Sequence, residues 1–168
     1  MRNIPTWRSL LYVPVTQPRF VEKAHTRGAD AIILETFLDL DELKQALRAA
    51  RQHTDLPVIA QLTFPDRAVT ATGTDVYTAL QGLADAGADV VGTNCGRGVS
   101  QVLRIVEEFG AQSHALISAF PNAGFPEFVA GRVMYLASPD YMAVMAERMV
   151  EAGLLELVYQ TGDTRLYA

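Results

Sequence analysis

An α/β fold of six successive strand–helix units is the architecture that this 168-residue sequence predicts, on three observations. Short runs rich in Val, Ile and Leu, without polar alternation, read as parallel strands buried on both faces. Amphipathic stretches of helical period separate them. A helix–glycine–strand junction recurs as "RGADAII", "AGADVVG" and "AGLLELV", and the unit repeats at roughly 28 residues. A closed barrel of such units needs eight strands and about 250 residues. The chain is therefore expected to form an incomplete (βα)8 TIM-type barrel in one domain, its open sheet edges covered by self-association. An open, doubly wound parallel sheet is the alternative.

The first strand is read in "RSLLYVPV" (8–15), and a helix over about 17–27 ends at Gly28. "ADAIILETF" (29–37) is the second strand, after which Asp39 caps a helix over 39–54. "LPVIAQLTF" (56–64) is the third. It runs into a long segment, 65–75, of the kind that closes over a site, and then into a helix over 74–87 capped by Thr74. The fourth strand, "ADVVGTNCG" (88–96), leads to a helix over 98–111. The fifth, "HALISAFPN" (114–122), precedes a helix over 138–153 with Ser138 as N-cap and Pro139 in its first turn. "LLELVYQTG" (154–162) is read as the sixth. Gly28, Gly87 and Gly153 stand where helices end in a left-handed residue.

An apolar share of 49% with 20% charged residues excludes a disordered chain, and a net charge of −5 argues against nucleic acid or anionic lipid as the partner. The opening 20 residues hold three prolines and no apolar run of membrane-spanning length, so a cytoplasmic setting is expected. One cysteine, Cys95, excludes an internal disulfide and any site built from several thiolates of one chain.

In either architecture ligands sit at the carboxyl ends of the strands. Those ends carry Glu35-Thr36-Phe37, Gln61-Leu62-Thr63-Phe64, Thr93-Asn94-Cys95-Gly96 and Pro121-Asn122-Ala123-Gly124. The blocks "GADAIILETFLDLDE", "LPVIAQLTF", "TGTD", "AGADVVGTNCGRG", "FPNAGFP" and "GRVMYLASPDYMAVMAERMVEAG" resemble, in order and spacing, the homocysteine S-methyltransferase family of zinc-dependent (βα)8 barrels. The resemblance implies that Glu35 helps bind the amino acid substrate and that Cys95 is the first of three zinc thiolates, while the side chains of Gln61, Asn94 and Asn122 can supply amide hydrogen bonds to a polar ligand or satisfy loop backbone. A zinc-bound substrate thiolate is then the nucleophile toward an activated methyl donor. The remaining two thiolates belong to a "GGCC" block, whose cysteines fall here on Gln160 and Thr161. Neither replaces a soft sulfur ligand, so a barrel fragment without turnover and without a bound cofactor is expected, with zinc only if the site is otherwise completed.

The start of the chain, "RSLLYVPVTQPRFVEKAHTRGADAIILE", resembles the first strand–helix unit of the citrate lyase beta-subunit-like family, magnesium-dependent (βα)8 lyases acting on acyl-CoA esters. This implies a boundary between 1–28 and 29–168 and a chimeric chain, engineered or reconstructed, with a natural truncated paralogue as the alternative. Two further functional readings follow: a magnesium-dependent carbon–carbon lyase, and a non-catalytic scaffold. Magnesium wants carboxylate oxygens, whereas the later strand ends carry Gln61 and Asn94. For Cys95, three roles stay open: a small buried residue, a residual metal contact, or a reactive thiol. Glu35 either pairs with a strand-end amide or binds a cationic amine, and "PNAG" around Asn122 reads as a turn.

Overall fold

The computed structural model describes residues 7, 9–12, 17–65, 68–154, 157–161 and 164–167, with His25 and everything beyond Leu154 described by backbone only. Five strands, β1 (Leu10–Tyr12), β2 (Ala31–Phe37), β3 (Val58–Leu62), β4 (Val90–Cys95) and β5 (Leu116–Pro121), form one all-parallel sheet in the order β1-β2-β3-β4-β5. Of the expected first strand, Arg8 and residues 13–15 lie outside the described residues. The helices are α1 (Pro18–Ala24), α2 (Leu40–Arg51), α3 (Val76–Asp85), α4 (Val99–Gly110) and α5 (Pro139–Glu151).

Strand order decides between the two architectures. A doubly wound sheet reverses direction at a switch point, which is how it places helices on both faces. Here order follows sequence, and right-handed crossovers then leave the helices on one face. The doubly wound alternative is overturned, and the sheet has the connectivity of a partial barrel wall. Packing agrees: Ile32, Leu34, Val58, Ala60, Leu62 and Val91 point toward Leu43, Leu47, Leu80, Leu83, Ile105 and Phe109 in the main core. The opposite face carries a separate small cluster of Ile33, Ile59 and Val90, flanked by Trp7, Leu10 and Leu116.

Local chemistry sets the helix ends. The Asp39 carboxylate accepts from the N–H groups of Asp41 and Glu42, and Ser138 accepts from that of Tyr141, as expected of N-caps. The cap of α3 is Asp75, not Thr74: its carboxylate accepts from Thr78 N–H, one residue further on than expected. Thr74 is instead part of a tight loop in which its N–H donates to Thr70 Oγ1, and Ala71 N–H donates to Leu38 O, anchoring 68–75 to the end of β2. Residues 66 and 67 of that segment lie outside the described residues. The repeated "GAD" has a structural meaning at the other end of the sheet: Asp30 accepts from Ser9 N–H, and Asp89 from Val58 N–H, each holding the start of the preceding strand. Arg51 adds an ion pair to Asp89 and a hydrogen bond to Gly87 O.

Two parts of the chain depart from the sequence reading. Residues 126–135 form an antiparallel hairpin, β6 (Pro126–Val129) and β7 (Arg132–Tyr135), turning through Ala130 and Gly131, which both have positive φ. The expected sixth parallel strand is β8 (Leu157–Thr161), which pairs antiparallel with β9 (Thr164–Tyr167) and not with the five-stranded sheet. Among the described residues the parallel sheet therefore holds five strands, where six were expected. The junction glycine behaves as read, with Gly153 at φ 70°, but it fixes only where a helix stops, not which strand the next segment joins.

Candidate functional site

The face of the sheet away from the helices changes character along its length. At the level of Ile33, Ile59, Val90 and Leu116 it is apolar. One step nearer the carboxyl ends, β3, β4 and β5 align Gln61 with Gly92 and Gly92 with Ser118. Glu35 and Gln61 each follow the last regular pair, Leu34 with Ala60, at the point where the register of the two strands shifts.

A bulge in β2 shapes this end. Three steps from Leu34 to Phe37 match two from Ala60 to Leu62 on β3, so β2 carries one extra residue. Thr36 takes it up at φ 64°, a left-handed conformation that a β-branched residue rarely adopts. Cys95, at the end of β4, is likewise left-handed at φ 58°.

Both residues are held by Asn94, whose side chain is fully buried. Its Oδ1 accepts from Thr36 N–H at 3.0 Å and from the Thr63 hydroxyl at 3.2 Å. Its Nδ2 faces Glu35 Oε2 at 3.0 Å, Thr36 Oγ1 at 2.7 Å and Cys95 Sγ at 3.4 Å. One amide thus ties the ends of β2, β3 and β4 together and brings a carboxylate and the thiol to the same NH2 group. Two strained residues flanking one buried amide is the pattern of a site that is over-determined by its surroundings.

Gln61 is fully buried, and its Nε2 donates to Ser118 Oγ at 2.9 Å, while its Oε1 has no hydrogen-bond partner. Asn122, one loop on, donates to Gly96 O at 3.2 Å and accepts from Gly124 N–H at 3.1 Å, so its amide braces the two loops against each other. Gln101 was not singled out in the sequence, yet its buried side chain clamps the β4–α4 turn: Nε2 donates to Phe64 O at 3.0 Å and Oε1 accepts from Arg97 N–H at 2.7 Å. Gly96 is required there twice over, by a φ of 68° and because a Cβ would lie 2.7 Å from Gln101 Oε1. A lone glutamine on an amphipathic helix gave no signal; the two glycines before it did.

The donor set around Cys95 does not fit the zinc site that the family resemblance implies. The sequence holds one thiol, and among the described residues no three His, Cys, Asp or Glu side chains converge. The side chains of Gln160 and Thr161 lie outside the described residues, but their backbone belongs to the β8–β9 hairpin. His53 pairs with Glu22 at 3.0 Å, at the amino-terminal end of the sheet and away from Cys95.

Comparison with known proteins bears on the family of the chain and on its fold. It is 31% identical over 133 residues to methionine synthase of Mycobacterium tuberculosis, covering 76% of the chain, and 29% identical over 153 residues to that of Mycobacterium leprae, covering 83%. The chain spans only 11% and 13% of those proteins. Crystal structures of the homocysteine methyltransferase MmuM of Escherichia coli superpose with TM-scores of 0.52 for the apo form and 0.54 for the metallated form. They share 14% and 18% identity, and cover 67% and 68% of this chain and 47% and 41% of theirs, a likeness of fold. The homocysteine S-methyltransferase family model matches residues 15–158, on both sides of the expected boundary at Gly28. With most of its length inside that match, this chain belongs to the homocysteine S-methyltransferase family.

Proposed function

We propose that the chain retains the amino-acid-binding part of a homocysteine S-methyltransferase pocket and lacks the thiolate set that activates the substrate. It binds a small amino acid or thiol weakly and does not by itself transfer a methyl group. The observation that supports this reading is a strand-end carboxylate and amide beside a solitary sulfur: Glu35 is hydrogen-bonded to Asn94, Gln61 on the next strand keeps an unpartnered buried carbonyl, and Cys95 is the only thiol in the sequence. A carboxylate and an unpaired amide carbonyl suit a primary ammonium group. Three thiolates suit zinc; one does not.

The test combines metal analysis with turnover. Purified protein incubated with zinc and dialysed is expected to carry well under one equivalent, and L-homocysteine with an activated methyl donor is expected to give no methionine. Stoichiometric zinc that chelation removes, together with methyl transfer, overturns the proposal.

Self-association belongs to the same reading. On the β6–β7 hairpin the register Pro126↔Tyr135 and Phe128↔Val133 places four apolar residues on one face, and Phe128 is 78% exposed, Val133 67% and Tyr135 56%. At these exposures, with aromatic side chains at about 200 Å² each, the four residues offer roughly 400 Å² per copy. Two copies facing each other would bury about 800 Å², the size of a weak, transient interface. We infer that a second copy covers this face.

A further inference from the structure

The reach of Gln61 to Ser118 is unusual in crossing a strand. Gln61 is on β3 and Ser118 on β5, with Gly92 of β4 between them in register. A Cβ built at Gly92 would collide with both the carbonyl and the hydroxyl oxygen of Ser118. The hydrogen bond therefore exists because position 92 has no side chain.

Its consequence is the orientation of the Gln61 amide. A glutamine amide has one acceptor end and one donor end. With Nε2 donated to Ser118 Oγ, the buried Oε1 is left without a donor. A buried carbonyl without a donor is costly, and a ligand N–H would remove that cost.

We propose that Ser118 is a positioning residue for ligand selection: by taking the Gln61 NH2 across the gap at Gly92, it leaves Gln61 Oε1 as an acceptor for a ligand ammonium group. This rests on the pocket assignment given under Proposed function. The pocket accordingly discriminates an α-amino acid from its deamino counterpart. Ser118 itself does not touch the ligand.

The test uses the whole chain and two probes, L-homocysteine and 4-mercaptobutanoate, which differ in the amino group. Dissociation constants are measured by NMR titration for the wild type, Ser118→Ala and Ser118→Thr, together with the side-chain amide signals of Gln61 and the melting temperature. The wild type is expected to prefer L-homocysteine at least tenfold. Ser118→Ala is expected to reduce that preference to within about threefold and to abolish the protection of the Gln61 amide protons from exchange, while Ser118→Thr, which keeps the hydroxyl, retains both. A merely structural role would weaken both probes alike and leave the ratio unchanged, which overturns the proposal. Should the wild type bind neither probe, the pocket assignment fails, and the amide signals still judge the positioning: unchanged Gln61 protection in Ser118→Ala refutes it.

Discussion

Removing the Asn94 side chain is the most informative perturbation of this structure. Asn94→Ala leaves two donors without an acceptor, the Thr36 N–H and the Thr63 hydroxyl, and Thr63 is only 8% exposed. At about 1–3 kcal/mol for a buried unsatisfied group, the Thr63 hydroxyl stands near the middle of that range and the N–H of the exposed Thr36 at its lower end, about 3 kcal/mol together. Glu35 and Thr36 Oγ1 lose a donor as well, but water reaches both and the loss there is small. Freed from the bracket, Thr36 can leave its left-handed conformation, which returns about 1 kcal/mol. The net loss is therefore about 2 kcal/mol, a large share of a typical stability of 5–15 kcal/mol. Asn94→Asp separates the two ends of the amide: it keeps the accepting oxygen but sets a second carboxylate beside Glu35, so at neutral pH it should also destabilise. Combining it with Glu35→Gln removes the repulsion. Urea denaturation of the four proteins gives the coupling, expected to exceed about 1 kcal/mol in the rescuing direction. A cost for Asn94→Ala below about 1 kcal/mol, or no rescue by Glu35→Gln, would refute the view that this amide ties three strand ends together.

Other outcomes can be checked with equally simple measurements. Phe109→Ala removes a fully buried ring from the main core, packed against Tyr77, and should cost about 3–5 kcal/mol in the same urea assay. Asp39 and Asp75 are held below the usual carboxylate range, chiefly by the backbone N–H groups of Glu42 and Thr78 respectively. Their folded pKa values lie below the unfolded ones, so their contribution is full at neutral pH and is lost as pH falls below the ordinary aspartate value near 4. Asp39→Asn, which can still cap the helix, should flatten the fall of melting temperature between pH 5 and 2. Phe128→Glu should shift the protein toward monomer in light scattering across a dilution series; a wild type that is monomeric at high concentration would remove the dimer proposal.

The repeating layout was legible because parallel strands and their helices each carry a strong local signature. Apolar runs marked β2, β3, β4 and β5, and Asp39, Ser138 and the junction glycines marked the ends of helices. Pairing partners were less legible. The segment 154–162 has the composition of a buried strand, and composition does not distinguish a parallel neighbour in a sheet from an antiparallel one in a hairpin, which is where β8 lies. The β6–β7 hairpin was hidden for a related reason: its Ala130–Gly131 turn lacks the Asn-Gly or Asp-Gly pair that marks such turns, and all its residues are exposed. At the site, strand-end reasoning singled out Glu35, Gln61, Asn94 and Cys95, and the fold brings Glu35, Asn94 and Cys95 to one amide. It did not find Gln101, Ser118 or the bulge at Thr36, because each acts through a neighbour two strands or a turn away.

The thiol corner offers a single sulfur, and Cys95→Gly tests what that sulfur does. At φ 58° Cys95 occupies a conformation that costs a non-glycine residue about 1 kcal/mol or more, and its sulfur meets the long approach of Asn94 Nδ2 at 3.4 Å. Glycine removes the strain but adds freedom to the unfolded chain worth about 0.5–1 kcal/mol. These effects nearly cancel, so Cys95→Gly should change stability by less than about 1 kcal/mol, with or without added zinc. A thiolate that held zinc would behave otherwise, since metal-binding free energy adds to the stability of the fold and vanishes with the ligand. A melting temperature raised by zinc in the wild type and not in Cys95→Gly would mean that Cys95 has found partners, and that the corner built by Asn94 and Gln101 still serves a metal.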